Sequence, residues 1–171
     1  LIGFYRTFVR ERDKSTHFVP PDRPSQIVQG ERVLAVLAGS GAHLIAEDLG
    51  VVPDFVRESL ARLHVPGLKV LRWERLWEEE GKPFRDPATY PATSVAISGT
   101  HDTETHAEWW ETADDEEREA VAALPTMRDA GCRADEPFTH AIRDALIAAL
   151  LGAGSDVLLL PVQDIFGWRD R

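Results

Sequence analysis

Cysteine occurs once in the 171 residues, as Cys132, so no internal disulfide can staple the chain. A lone thiol is consistent with a reducing compartment, and a cytoplasmic setting is expected. Long apolar runs are lacking too. Leu158-Leu159-Leu160 stops at Pro161, far short of the roughly 20 residues that span a bilayer. No basic start leads into an apolar core, so no signal peptide is visible. Positive charge is in deficit: 19 Lys and Arg stand against 29 Asp and Glu, for a net charge of -10. Neither nucleic acid nor an anionic membrane is therefore expected as the main partner. The spacings HxH, HExxH and CxxC are missing, so no metal is expected, and no cofactor is implied. No glycine-rich turn opens a helix in the way a phosphate site requires; Gly39-Ser40-Gly41 reads as a helix stop before an apolar run. A serine-nucleophile elbow of the GxSxG type is also absent.

What is present is enough for one compact, soluble domain with a real core: 43% of residues are hydrophobic and 28% charged. The stretch that organises it is Leu44–Gly50, LIAEDLG. A short apolar run, Leu44-Ile45-Ala46, ends abruptly in Glu47 and Asp48. Gly50 then breaks the run, and a helical pattern follows Pro53. That order predicts one βα unit, with acids at the carboxyl end of the strand, where α/β folds place their chemistry.

The rest of the chain extends the pattern. Leu1–Val9 is expected to pass from a strand end into a loop or short helix, and the charged, proline-rich Arg10–Arg23 to be a loop. Ser25 is expected to cap a helix running to about Ala38. The helix after Pro53 stops at Pro66-Gly67. Gly67–Trp73 is the next strand, with Lys69 read as an ion-paired lysine rather than a Schiff-base former. Trp77–Pro91 is a polar loop and Ser94–Ile97 a third strand. A helix is expected from Thr103 or Thr105, then a solvated charged face over Asp114–Arg118 continuing as helix to Pro125. Phe138–Leu151 has apolar residues at helical spacing, and Val157–Leu160 is a fourth strand, followed by a loop. Short apolar strands separated by helices predict an α/β fold with parallel pairing. About four such units make the C-terminal half of a (β/α)8 TIM barrel. Leu1-Ile2-Gly3-Phe4 reads like the inside of a domain and Trp168–Arg171 shows no tail, so residues 1–171 are expected to be a partial catalytic domain cut at both ends.

In a barrel the strand tips share one face. The first strand ends in Glu47-Asp48, the third in His101-Asp102 and the fourth in Gln163-Asp164. Carboxylates with a histidine and an amide suit acid/base work on a sugar. Retaining transfer uses one carboxylic acid to protonate the leaving oxygen and one carboxylate to attack the anomeric carbon, roughly 5 Å apart. Trp73, Trp109, Trp110 and Trp168 follow strands closely enough to be sugar platforms, with one of Trp109 and Trp110 assigned to helix packing.

AEDLG at Ala46–Gly50, PGLKVLRWE at Pro66–Glu74, SGTHDTET at Ser98–Thr105 and VQDIFGW at Val162–Trp168 resemble the 4-α-glucanotransferases (amylomaltase or disproportionating enzyme), glycoside hydrolase family 77. The similarity spans nearly the whole chain, in the family's order. The resemblance implies retaining transfer of α-1,4-glucan segments from maltodextrin to an acceptor glucan or glucose. It implies Glu47 as general acid/base, Asp102 as the residue that holds sugar hydroxyls and stabilises the transition state, and His101 on the same sugar. Asp48, Gln163, Asp164, Trp73 and Trp110 are the further substrate-binding candidates. It puts the nucleophilic aspartate before Leu1, in the missing N-terminal half of the barrel. One departure stands out: HDNDT is frequent in the family where His101-Asp102-Thr103-Glu104-Thr105 stands here, which bears on acceptor preference. An α-amylase-type hydrolase or a non-catalytic glucan-binding remnant would share many of these residues.

Overall fold

The computed structural model describes residues 1–170, which form a mixed α/β arrangement in two compact units, Leu1–Leu68 and the residues from Lys69 onward. In the first, a single 3-10 turn, Ile2–Phe4, leads into an antiparallel hairpin of β1 (Thr7–Arg10) and β2 (Thr16–Val19), with Thr7 opposite Val19 and Arg10 opposite Thr16. The hairpin replaces the loop expected over Arg10–Arg23. Its strands are rich in β-branched and aromatic residues, Thr7, Phe8 and Val9 in one and Thr16, Phe18 and Val19 in the other; Phe8 packs on Phe18 with ring centres 5.5 Å apart, and Asp13 Oδ1 closes the turn by accepting the Ser15 amide. The prolines that suggested a loop begin only at Pro20.

Helix α1 spans Arg23–Ala38. Its cap is Asp22, whose carboxylate accepts the Ser25 amide at 2.9 Å, rather than Ser25 itself. Helix α2 is Asp54–Arg62. The core of this unit is Tyr5, Leu34, Phe55, Val56, Leu60 and Val65. Tyr5 lies flat against α1 at Gly30, where an added Cβ would sit 2.2 Å from the ring, and its hydroxyl donates to Ser59 Oγ at 3.0 Å. The strand expected at Leu44–Ala46 reduces to one parallel bridge, Ala46 to Gly67. Ala46 donates to the Pro66 carbonyl at 2.9 Å, but beyond it a side chain, the Asp48 carboxylate, takes the Leu68 amide.

Strand β3 (Gly67–Val70) runs across the division and is shorter than expected, because Leu71–Trp73 turns into a 3-10 helix. It is the first of three sheet neighbours in the order β3-β4-β5, with β4 at Ser94–Ile97 and β5 at Val157–Leu159. β4 and β5 are parallel, Val95 opposite Val157 and Ile97 opposite Leu159. Between them run α3 (His106–Thr112), α4 (Asp115–Ala122), α5 (Pro125–Asp129) and α6 (His140–Leu151), with Thr105, Asp114 and Thr139 capping α3, α4 and α6. Leu71, Phe84, Trp109, Trp110, Met127, Ile142 and Leu146 belong to the core that forms here. After β5, the expected loop is a short helix, α7 (Val162–Phe166), stopped by Gly167 in the left-handed conformation at φ 68°. Lys69 is ion-paired, its Nζ 3.1 Å from Glu74 Oε1.

Candidate functional site

Burial alternates along Ala46, Glu47 and Asp48, the pattern of adjacent side chains that point in opposite directions. Ala46 and Asp48 are 6% and 8% exposed, while Glu47 faces solvent. The two acids therefore do different work. Asp48 Oδ1 accepts the Leu68 amide at 2.9 Å, and Oδ2 stands 3.7 Å from Arg57 Nε. Arg57, on α2, also donates to the backbone carbonyls of Asp48 and Val52. Gly67 is required at this point, because a Cβ there would lie 2.6 Å from the Asp48 carboxylate. Asp48 thus locks the loop on which Glu47 stands. The Glu47 carboxylate has no hydrogen bond or ion pair among the described residues, which leaves both oxygens available to a ligand.

In the second unit, β4 ends at Ser98, whose hydroxyl donates to Asp164 Oδ2. Asp164 Oδ1 accepts the His106 amide at 2.7 Å. One buried carboxylate, 2% exposed, thereby joins the exit of β4, the start of α3 and α7. Negative charge against the first amide of a helix is the favourable arrangement. The turn between carries His101 and Asp102. It is closed by the Thr100 amide on Thr103 Oγ1 at 2.8 Å and the Thr103 amide on the Thr100 carbonyl at 3.2 Å. Gly99 allows this closure, since a Cβ there would stand 2.5 Å from Thr103 Oγ1. His101 Nε2 and Asp102 Oδ2 are 3.2 Å apart, with side chains 81% and 77% exposed. At such exposure the pairing stabilises the fold little; it leaves a hydrogen-bonding pair facing solvent. Asp102 also lines a cleft of about 430 Å3 with Arg72, Trp73, Thr103, Glu104 and Trp109 among its walls.

Three residues expected to face a sugar are instead engaged inside the fold. Asp48 accepts the Leu68 amide and faces the Arg57 guanidinium, and Asp164 accepts the Ser98 hydroxyl and the His106 amide, so both buried carboxylates are satisfied within the fold. Trp110 is 1% exposed, and its Nε1 donates to the Glu136 carbonyl at 2.9 Å; Trp109 is 4% exposed. Both tryptophans of that pair belong to the core, against the expectation of one. Trp73 is 44% exposed and lines the Asp102 cleft. Trp168 is exposed and stacks on Phe166 with ring centres 5.1 Å apart. Gln163 is half-buried on α7, its carbonyl accepting the Trp168 amide. Sequence reasoning passed over exposed Trp77, which takes Arg75 and Lys82 against its ring, and over Arg72 and His106. A tryptophan inside a polar loop was the available signal for Trp77. Among the described residues, no group of three or more His, Cys, Asp or Glu is gathered as metal ligands, and no helix is long and apolar enough to cross a membrane.

Comparison with known proteins gives a consistent set of likenesses. Residues 2–171 match the family model described as 4-alpha-glucanotransferase. A 4-alpha-glucanotransferase from Chlamydia pneumoniae is 35% identical over 113 residues, which are 64% of this chain and 21% of that protein. One from Synechocystis is 29% identical over 138 residues, 80% of this chain and 25% of that protein. Among solved structures, an amylomaltase from Streptococcus agalactiae in complex with acarbose aligns with a TM-score of 0.65 at 22% identity, over 98% of this chain and 32% of that one. At that identity the last likeness speaks to fold alone. The chain spans about a fifth of the length of the first curated relatives it matches.

Proposed function

The chain belongs to the 4-alpha-glucanotransferase family, glycoside hydrolase family 77, and on that premise we propose that it carries part of the active centre of an enzyme that transfers α-1,4-glucan segments with retention. Its residues form about four βα units, the C-terminal half of a (β/α)8 barrel, and make up a partial catalytic domain. Glu47 is the general acid/base. It gives its proton to the glycosidic oxygen as the bond to the anomeric carbon breaks, and later takes the proton of an acceptor 4-hydroxyl. A carboxylate nucleophile holds the glucosyl group between the two steps and departs in the second. The family resemblance assigns that nucleophile to an aspartate before Leu1.

Asp102 grips hydroxyls of the reacting ring most strongly in its distorted, oxocarbenium-like shape, and His101 binds the same sugar. Trp73 is a platform for a sugar face, and Gln163 a polar contact. Asp48 and Asp164 serve the site by holding the loops that bear these groups. Maltodextrin is the substrate proposed here, on the strength of the family.

The observation that carries this reading is the Glu47 carboxylate, exposed and unused by the fold between two buried neighbours. Full-length protein incubated with maltotriose should release glucose and build longer maltodextrins, more so as acceptor is added. Glu47→Gln and Asp102→Asn should each lower kcat by about a hundredfold or more. Residues 1–171 alone should be inactive. Undiminished transfer by Glu47→Gln would overturn the assignment, and glucose release without elongation at any acceptor concentration would point to a hydrolase.

A further inference from the structure

The turn that carries His101 and Asp102 is closed by its own threonines, yet it also has a charged tether. Glu104, two residues past Asp102, is ion-paired with Arg72 Nη1. Arg72 stands in the 3-10 turn after β3, 32 positions away in sequence. Its side chain is only 9% exposed, against 48% for Glu104. The guanidinium lies 4.9 Å over the Trp109 ring, and Trp109 is itself a core residue. Arg72 is therefore held by a rigid aromatic face at one side and reaches the turn at the other. A buried guanidinium loses hydration, and an anion and a ring face restore favourable contacts. The cleft beside Asp102 includes all three residues and Trp73 in its walls.

We propose that Arg72 is a positioning residue for the glucan reaction: laid over Trp109 and paired with Glu104, it fixes the turn that presents His101 and Asp102 to the sugar. The activity arm of the test rests on the transferase reading above; the exchange arm does not. Lysine cannot substitute, because an ammonium lacks the planar face that stacks on the indole.

The experiment uses the full-length protein with R72M, R72K, E104Q and the R72M/E104Q double variant. Hydrogen exchange is followed at the Thr100, Asp102 and Thr103 amides, which close the turn. R72M and E104Q should each speed exchange there by about tenfold, while amides of α6 stay as they were. On maltotriose, kcat should fall by about tenfold with KM within about threefold, because a misplaced Asp102 weakens the transition state more than the ground state. R72K should resemble R72M, and the double variant should be no worse than the poorer single one. Should R72M fail to fold, the half-exposed E104Q still reports. Unchanged exchange at the turn in E104Q, or faster exchange with unchanged kcat, would overturn the inference. An inactive parent protein would count against the transferase reading and leave exchange to decide this one.

Discussion

His106 opens α3 at 1% exposure, and neither ring nitrogen has a hydrogen-bond partner. Burial pushes its pKa below the usual 6.5; the nearby Asp164 charge opposes that shift and Arg72 adds to it. The imidazole is thus neutral in the folded protein where it would take a proton in the unfolded one. Stability from this group is intact above 6.5 and declines as pH falls from there toward the lowered folded value. The slope from one group is at most about 1.4 kcal/mol per pH unit. Urea unfolding at about pH 7.5 and about pH 5.5 measures it. His106→Phe should remove that part of the acid sensitivity, and an unchanged pH difference in the variant would contradict the account. The tryptophans divide as sharply. Trp110→Ala should destabilise by about 3–5 kcal/mol, as expected for a buried indole, whereas Trp73→Ala should leave stability within about 1 kcal/mol and weaken maltodextrin binding. Equal losses of stability in thermal melts would place the two residues in the same role and end the distinction. Adjacent acids pose the same problem in miniature. Glu47 and Asp48 look alike as letters, and only the direction of the backbone shows that one supports and the other is offered.

Helices were more legible than strands, for a reason visible in particular elements. α6 repeats Ile142, Ala145, Leu146, Ala149 and Leu150 on one buried side, and a period of 3.6 survives errors of a residue or two. β2 has four residues, one half-buried phenylalanine and three prolines close behind it, so its signal was too short to outweigh theirs. Leu44–Ala46 had the composition of a strand, but only Ala46 pairs, because pairing depends on a partner that local sequence does not contain. The tips of these elements were nonetheless marked by their acids, which is why Glu47 and Asp102 could be singled out. The Arg72–Glu104 tether could not, since its halves are brought together only by folding. Within α1, a glycine such as Gly30 costs roughly 1 kcal/mol relative to alanine by helix propensity alone. It is the seat of the Tyr5 ring. Gly30→Ala should therefore destabilise by about 1–3 kcal/mol through overpacking, despite its better helix propensity. A rise in melting temperature would show that Tyr5 moves aside without penalty.

At the level of the whole molecule, the chain matches a fifth of its curated relatives' length, and Glu47 and Asp102 both face outward. It also exposes large apolar side chains in both units, among them Phe8, Val28, Val36 and Ile45 in the first and Val157 and Leu159 in the second. Such surface is costly in water, and it fits the proposal that the active enzyme is larger than these residues. The central claim is that Glu47 moves the proton. It is tested most directly with Glu47→Ala in the full-length protein, given α-glucosyl fluoride, whose leaving group needs no acid, and then azide, an acceptor that needs no base. The account predicts that maltotriose transfer is lost, that the fluoride still loads the enzyme, and that azide restores turnover to give α-glucosyl azide. Fluoride and maltotriose impaired alike, with no response to azide, would contradict it.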